Sequence, residues 1–485
     1  MQVYIASTLR GFFGRREKLE IKGENIRQIL SGMAEEYPEA KEALYDENGK
    51  IRGFIQIYIN EENATSEERW DRPFDKGDEI LLLPVIAGGA PTESLISEER
   101  RKEIALDDAE IERFNKHLML REIGVKGQKR LKAAKVAVIG AGALGSPVIQ
   151  YLAAAGVGTI KTVDFDEVSP GNLQSQVIHG MRDVRRPKVA SARDTIKSIN
   201  PRIKIEAENV EVSAENIGEI IEGYDVVVDC TDNYKARYLI GDACALQNIP
   251  LVFGAIYQYE GQVGIFNLNE GPCFRCQFPA PPPAGLVPTC AEGGSISPLA
   301  GIIGSIQANE VLKLLIGIGE HLDGKLLVID SLHLRSKILN VHKNEKCPVC
   351  GKNPSILKVQ NFDYEDFCGL RQDEDEIPVE GIEPDELARR IEQGEVLTIV
   401  DVREPHERAI HRFPNAVVIP IGQLARRQKE LDPNVDTIFI CKEGKRSILA
   451  IRTLREAGYK GVMYNLKGGT DAAQEIIFSN EGAWL

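Results

Sequence analysis

Four sets of residues in this 485-residue chain have types and spacings that can do chemistry. The first is Gly140-Ala-Gly142-Ala-Leu-Gly145, between the apolar run Val136 to Ile139 and an alanine-rich stretch, with Asp164 and Asp166 closing the next apolar run. Glycines at a strand-to-helix turn let backbone N–H groups approach phosphates, and an acid about 20 residues on suits a ribose hydroxyl. The pattern reads as a nucleotide loop without naming the nucleotide. A glycine-rich turn with no ligand is the competing reading. The second set is Asn172, Pro187-Lys188 and Cys230-Thr-Asp232-Asn233, the last following the apolar run Val226 to Asp229. Ligands collect at the carboxyl ends of strands in an open α/β sheet, which puts Asp164 and Asp232 on one crevice. Attack of a carboxylate on the α-phosphate of ATP suits such a crevice. Lys188 and a magnesium ion (Mg2+) held by Asp232 would take up the charge that builds. The alternative for Asp232 is a strand-end acid capping the next helix.

The third set is Cys273-Phe-Arg-Cys276 with Cys347-Pro-Val-Cys350. Each C-x-x-C pair has the bite for two positions of one tetrahedral zinc (Zn2+), and two pairs close the site, which makes it structural. A redox pair is the competing reading. The fourth is Cys441-Lys-Glu-Gly-Lys-Arg446-Ser447, between the apolar Thr437 to Ile440 and a helical pattern. Backbone N–H groups and a helix N-terminus there favour a thiolate or persulfide anion, and Lys442, Lys445 and Arg446 add positive charge. Phosphatase loops of the C-x5-R kind are one residue longer, so this loop fits sulfur better than phosphate. Cys290, on the proline-rich stretch Pro288-Thr-Cys-Ala, is a further candidate nucleophile, with a packing role as its alternative. Cys230 and Cys244 lie in apolar contexts and read as packing residues.

The elements that must hold these residues fall into three modules. Residues 1–89 read as a small α+β unit: a strand at Val3 and Ile5, a helix through Ile26, Ile29, Leu30, Met33 and Tyr37 closed by Pro38, a strand from Phe54 to Ile59, and a last strand from Glu79 to Ile86. That strand runs into Gly88-Gly89, a tail slim enough to thread a narrow channel, or else the start of a linker. Residues 90–107 read as a charged linker with some helix. From 108 to 350 strands and helices alternate in a doubly wound α/β pattern. An acidic linker over 351–377 leads to a second α/β unit over 378–485.

Length alone calls for about three domains. A formal charge of −14 and a pI near 5.2 argue against nucleic acid and anionic membranes as partners. No apolar run approaches the length that spans a bilayer, the N-terminus lacks the layout of a signal peptide, and nine cysteines form no dense disulfide pattern. Those features point to the cytoplasm.

Several of these motifs resemble known families. Residues 1–89 resemble the ubiquitin-like sulfur carriers of molybdopterin and thiamine biosynthesis, with a β-grasp fold whose terminal glycine is adenylated and becomes a thiocarboxylate. GAGALG, VDFDEV, GNLQSQ, RPKVASA, CTDN, CFRC, PTC and CPVC resemble, in that order from Asp108 to Cys350, the adenylyltransferases that activate those carriers, relatives of the ubiquitin-activating enzymes. The resemblance implies a Rossmann-like domain, ATP as substrate, a homodimer, and a nucleotide site including Gly140, Gly142, Gly145, Asp164, Asn172, Lys188, Asp232 and Asn233. It also implies a contact of Cys290 with the carrier or its sulfur. C-x-x-G-x-R-S at Cys441, with Asp401-Val-Arg403-Glu404 and Leu466-Lys-Gly-Gly469, resembles a rhodanese domain, implying that Cys441 carries sulfane sulfur delivered by a cysteine desulfurase or another donor.

Two departures stand out. Ser175 occupies a position where the adenylyltransferases carry a phosphate-binding arginine, and Lys116 replaces an arginine that reaches the partner subunit's site. Arg182, Arg185 and Arg186 lie close by in sequence and are the expected compensation. The expected activity is ATP-dependent adenylation of a carrier's terminal glycine followed by sulfur transfer. The alternative is a scaffold that docks carrier and sulfur donor without adenylating. Gly89 is peptide-bonded here, so either a protease cuts after it or a separate carrier chain is the substrate. An NAD oxidoreductase fits the glycine loop alone.

Overall fold

A computed structural model describes the chain except for residues 6–8, 15, 17, 47–48, 53–54, 61, 65–69, 76–77, 85–92, 283–293, 369–377, 409–411 and 474–485. Among the described residues three sheets carry the fold. The first holds β1 (Gln2–Ile5), β2 (Lys18–Glu20), β3 (Ile55–Ile59), β4 (Glu62–Asn63) and β5 (Glu79–Pro84) in the order β2-β1-β5-β3-β4. The two central strands, β1 and β5, run parallel and their neighbours antiparallel, the layout of a β-grasp sheet. The helix Ile26–Glu36 lays Ile26, Ile29, Leu30 and Met33 on this sheet, and the Asn25 side chain caps it by accepting from the Gln28 N–H. Pro38 ends that helix and also opens the next, Pro38–Leu44, because a proline at the first helical position gives up an N–H that would have no partner there. Gly88 and Gly89 lie outside the described residues.

The second sheet has eight strands: β6 (Lys135–Ile139), β7 (Thr159–Val163), β8 (Lys204–Glu208), β9 (Val226–Asp229), β10 (Leu251–Tyr257), β11 (Glu260–Phe266), β12 (Lys325–Asp330) and β13 (Arg335–Asn340). Their order is β13-β12-β11-β10-β9-β6-β7-β8, parallel from β10 to β8 and antiparallel from β11 outward. The chain leaves β6 toward β7 on one side and later returns to β9 on the other. That reversal opens a crevice beyond the carboxyl ends of β6 and β9.

The helix Ser297–Ile316 backs this sheet. By length and composition it is the one described helix apolar enough to cross a membrane, which overturns the expectation that no apolar run approaches that length. Its residues Leu299, Ile303, Ala308, Val311 and Leu315 are buried against the sheet and the helix Gly145–Ala155. The two helices meet at Gly304, where a Cβ would sit 2.5 Å from Pro147 and 2.6 Å from the Leu144 carbonyl.

Residues 94–104, part of the stretch read as linker, belong to this body. Ser94 donates to the Leu315 carbonyl at 2.5 Å, Ile96 enters the core, and Arg100 pairs with Asp225. The segment after residue 107 forms three short helices, Asp108–Arg113, Asn115–Leu118 and Gly124–Ala133, the last opening on Gly124, whose φ is 51°.

The third sheet is all parallel: β14 (Glu380–Ile382), β15 (Thr398–Asp401), β16 (Val417–Val418), β17 (Thr437–Ile440) and β18 (Met463–Leu466) in the order β14-β18-β17-β15-β16. β17 lies in its centre with all four residues buried, and delivers Cys441 from its carboxyl end to the helix Lys445–Glu456.

Candidate functional site

The glycine loop is shaped by contacts that only glycine permits at two of its positions. Gly140 has φ 101°, and a Cβ there would sit 2.6 Å from the Cys230 carbonyl oxygen; one on Gly145 would sit 2.0 Å from the Gly140 carbonyl. At Gly142 a Cβ meets only the Gln176 side chain, at 3.6 Å, so this position is open toward the crevice. Asp164 braces the loop: one carboxylate oxygen accepts the Ala141 N–H at 2.8 Å and the other the Asp166 N–H at 2.9 Å. Burial pushes the Asp164 carboxyl up, against the pull of Lys188 and those two N–H groups.

Gly140, Gly142, Asp164, Asp166, Asn172, Lys188, Asp232 and Asn233 line one crevice of about 720 Å³, which also takes in Ser175. Their roles are unequal. Lys188, buried at the start of the helix Lys188–Ile199, is ion-paired with Asp166 at 2.6 Å. Asn233 caps the helix Tyr234–Gln247 by accepting the Ala236 N–H at 2.8 Å, and Asn172 holds its own turn by accepting the Ser169 N–H at 3.0 Å. Asp232 stands exposed at the mouth with no ion pair or hydrogen bond among the described residues, so it is not the helix cap. Gly145 sits behind the lining. Lys116 lies on the exposed helix Asn115–Leu118 and does not line its own chain's crevice.

The arginine cluster expected to compensate for Ser175 does not reach the crevice. Arg186 is held by Asp183 and Asp194, each at 2.5 Å, and Arg182 is turned to solvent beside Asp183. Acids three and eight residues beyond or before Arg186 take its charge locally.

Three residues of the site had no sequence signal of their own. His179 is buried under the glycine loop, with one ring nitrogen 3.0 Å from the Ala141 carbonyl and the other 2.9 Å from Ser191 Oγ. Burial above all pushes its pKa down, and because a carbonyl only accepts, the ring nitrogen facing Ala141 is the donor. Asp229 is fully buried at the end of β9; one oxygen accepts from the Thr231 N–H and hydroxyl and the other has no partner. Gln307, from the long core helix, donates to the carbonyls of Asp229 and Val252, filling the space over Gly254. Burial pushes the Cys230 and Cys244 thiols well up, as suits packing residues.

The four paired cysteines come together. Cys273 lies 3.8 Å from Cys276 and 3.4 Å from Cys347, Cys276 lies 3.4 Å from Cys350, and all four sulfurs fall within 4.8 Å of one another. A tetrahedron with zinc–sulfur bonds of about 2.3 Å has edges of about 3.8 Å, so the set fits zinc with no open position. Arg275, inside the first pair, is buried with a two-pronged bond to Asp242 and stacks on Tyr238, Phe362 and Phe367. Tyr364 donates to the same Asp242 at 2.8 Å, so the segment after the second pair is fastened to this body.

Cys441 is 2% exposed; its Sγ accepts the Gly444 N–H at 3.1 Å and lies 3.3 Å from Ser447 Oγ. The loop rests on Gly469, where a Cβ would strike the carbonyls of Cys441 and Lys442 at 2.4 Å. Arg403, clamped to Asp401, reaches Thr470, whose N–H donates to the Cys441 carbonyl. The expectation that Lys445 and Arg446 lend charge to the sulfur does not hold. Arg446 makes a two-pronged bond to Glu407, held below its usual range by Arg446 against the opposing effect of burial, and Lys445 is exposed beside Glu443. Cys290 lies outside the described residues.

Comparison with known proteins identifies all three modules. The ThiS family matches residues 3–89, the ThiF family 114–349 and the rhodanese-like domain 383–475. A probable adenylyltransferase/sulfurtransferase, MoeZ of Mycobacterium tuberculosis, is 40% identical over 374 residues, covering 75% of this chain and 93% of that protein. The sulfur carrier protein adenylyltransferase of Thermus thermophilus is 47% identical over 267 residues, 54% of this chain and 98% of that protein. Adenylyltransferase and sulfurtransferase MOCS3 of Culex quinquefasciatus is 37% identical over 365 residues, 72% of this chain and 83% of that protein. With a glycine-loop crevice, a closed four-cysteine site and a cysteine loop in order along it, the chain belongs to the adenylyltransferase/sulfurtransferase family that joins a ThiF domain to a rhodanese-like domain, here behind a ThiS-family domain.

Proposed function

We propose that this chain adenylates the C-terminal glycine of a ubiquitin-like sulfur carrier and converts it to a thiocarboxylate with sulfur held on Cys441. The observation that carries this reading is the convergence of the open Gly142 backbone, Lys188 and an unpaired Asp232 on one crevice, in a chain whose other α/β unit presents a buried, N–H-bonded cysteine.

In the first step a carboxylate oxygen of the carrier attacks the α-phosphorus of ATP, the bond to the β-phosphate oxygen breaks, and pyrophosphate leaves. The glycine-loop N–H groups receive phosphate oxygens, and Lys188 offsets the charge that builds on them. Asp232 would hold magnesium, which supplies charge neutralisation; one carboxylate with phosphate oxygens is the donor set that ion takes. In the second step the outer sulfur of a Cys441 persulfide attacks the acyl carbon and AMP departs. A thiol, Cys290 or an external reductant, then splits the carrier–Cys441 disulfide and frees the thiocarboxylate. The four cysteines would hold zinc as a clamp, outside the reaction.

The modules divide as a carrier over 1–89, an adenylating domain over 108–350 and a sulfur-transfer domain over 378–485. The carrier acted on is freed by proteolysis after Gly89 or is a separate chain. Lys116 would serve a partner subunit in a homodimer; Met119, Leu120 and Val125, exposed close to it, support such an interface. A cysteine desulfurase or another donor would load Cys441 in the cytoplasm. Carrier-dependent ATP–pyrophosphate exchange tests the first step. Exchange on adding a free Gly-Gly-tailed carrier is expected; its absence leaves a docking scaffold.

A further inference from the structure

A triphosphate needs cations, and two of those lining the crevice are already ion-paired. Among the described residues lining it, Lys188 is held by Asp166 at 2.6 Å and Lys235 by Glu365 at 2.8 Å. Arg237 makes no ion pair among the described residues: it donates to the Thr231 carbonyl, lies over the Phe253 ring and keeps a buried Nε without a partner. Ser175 brings no charge, while Asp164, Asp166, Glu211 and Asp232 line the same space and repel an anion. Lys442, the residue after Cys441, also lines the crevice, half-buried, and its ammonium makes neither an ion pair nor a hydrogen bond among the described residues.

Its backbone is fixed. The Asp471 N–H donates to the Lys442 carbonyl at 3.1 Å, the Thr470 N–H to the Cys441 carbonyl at 2.8 Å, and Gly469 lets both carbonyls approach. The cysteine loop therefore presents a held backbone and an uncommitted ammonium to a crevice rich in carboxylates.

We propose that Lys442 is a phosphate-binding residue of the nucleotide crevice, lent by the sulfur-carrying domain to the adenylating one. The inference rests on the adenylation reading and extends it. With ATP bound, Lys442 supplies the positive charge that Ser175 lacks. After pyrophosphate has left, it faces the α-phosphate of the acyl-adenylate. When the persulfide sulfur forms its bond to the acyl carbon, the bond from that carbon to the AMP oxygen breaks and the electron pair leaves with AMP, beside the Lys442 ammonium. Because Lys442 and Cys441 are neighbours about 3.8 Å apart at Cα, the contact that holds the phosphate also brings the sulfur loop to the acyl group.

The test measures ATP and adenosine binding to the full chain for wild type, Lys442→Ala, Lys442→Glu, Lys442→Arg and Lys460→Glu. The last makes the same charge change at an exposed lysine of the same domain that does not line the crevice. Lys442→Ala is expected to weaken ATP about tenfold, which is about 1.4 kcal/mol, and Lys442→Glu more. Lys442→Arg should largely restore binding, added salt should narrow the gap, and adenosine, which has no phosphate, should bind all variants alike. Lys460→Glu should match wild type. Unchanged ATP affinity in Lys442→Glu, or an equal loss for ATP and adenosine, overturns the inference alone. A wild-type chain that binds no ATP overturns the adenylation reading with it.

Discussion

Asp232 and His179 show how differently two residues of one site serve it. Asp232 is exposed and makes no hydrogen bond or ion pair among the described residues, so replacing it has little stability to lose. Asp232→Asn should keep the melting temperature and lower carrier-dependent pyrophosphate exchange by about a hundredfold, the scale of removing one preorganised charge contact. A variant that melts normally and exchanges at the wild-type rate would remove Asp232 from the mechanism. His179 works from behind, tying Ala141 of the glycine loop to Ser191 on the helix that begins with Lys188. Its pKa is lowered in the folded chain, so the unfolded state binds more protons as pH falls below the ordinary histidine value of 6.5. Its contribution to stability is therefore present above that value and lost as pH falls through the lower, folded pKa. His179→Gln should flatten the acid limb of the central domain's melting-temperature curve and raise the KM for ATP more than it lowers kcat; an unchanged curve would contradict the assignment. Asp232 stood out in the sequence as a strand-end acid with helix capping as its alternative, and Asn233 takes that cap instead. His179 did not stand out, because its partners lie 38 and 12 residues away and only the fold brings them together.

At the scale of elements, turns and clamps decide what each motif can do. Gly140→Ala should destabilise the central domain by about 1–3 kcal/mol, because it forces a side chain into positive φ against the Cys230 carbonyl. Gly142→Ala has room to fold and should keep its melting temperature while losing ATP affinity; two variants with the same melting temperature would mean the loop is not held as described. The four-cysteine site should bind one zinc per chain. Cys347→Ser or strong chelation should release it and lower the central domain's melting temperature by several degrees or more, since metal binding adds directly to folding free energy. Zinc content unchanged in Cys347→Ser would contradict the closed site. The glycine loop, each C-x-x-C and the rhodanese-like loop stand out in sequence through their short spacings, whereas the meeting of the two cysteine pairs across 74 residues is the work of the fold. The arginines after Gly180 misled, because Asp183 and Asp194 absorb Arg186 before it reaches the crevice. The charged stretch after residue 93 also misled, since Ser94, Ile96 and Arg100 dock on the long core helix and on Asp225. Composition reports polarity, and it cannot report which partner a polar side chain meets.

On the scale of the whole molecule, three sheets among the described residues follow one another in chain order: a β-grasp sheet, a sheet with the glycine-loop crevice and a parallel sheet carrying the Cys441 loop. What only the structure adds is that a residue of the sulfur loop lines the activating crevice. The central claim is that one chain both activates and sulfurates a glycine carboxylate. Its most direct test is mass spectrometry of a free Gly-Gly-tailed carrier after incubation with ATP, magnesium, a thiol reductant and persulfide-loaded chain. Wild type should convert the carrier to a species heavier by one sulfur in place of one oxygen. Cys441→Ser should release pyrophosphate yet leave the carrier unsulfurated, and Asp232→Asn should do neither. A carrier left unchanged by wild type, or sulfurated equally well by Cys441→Ser, would contradict the account.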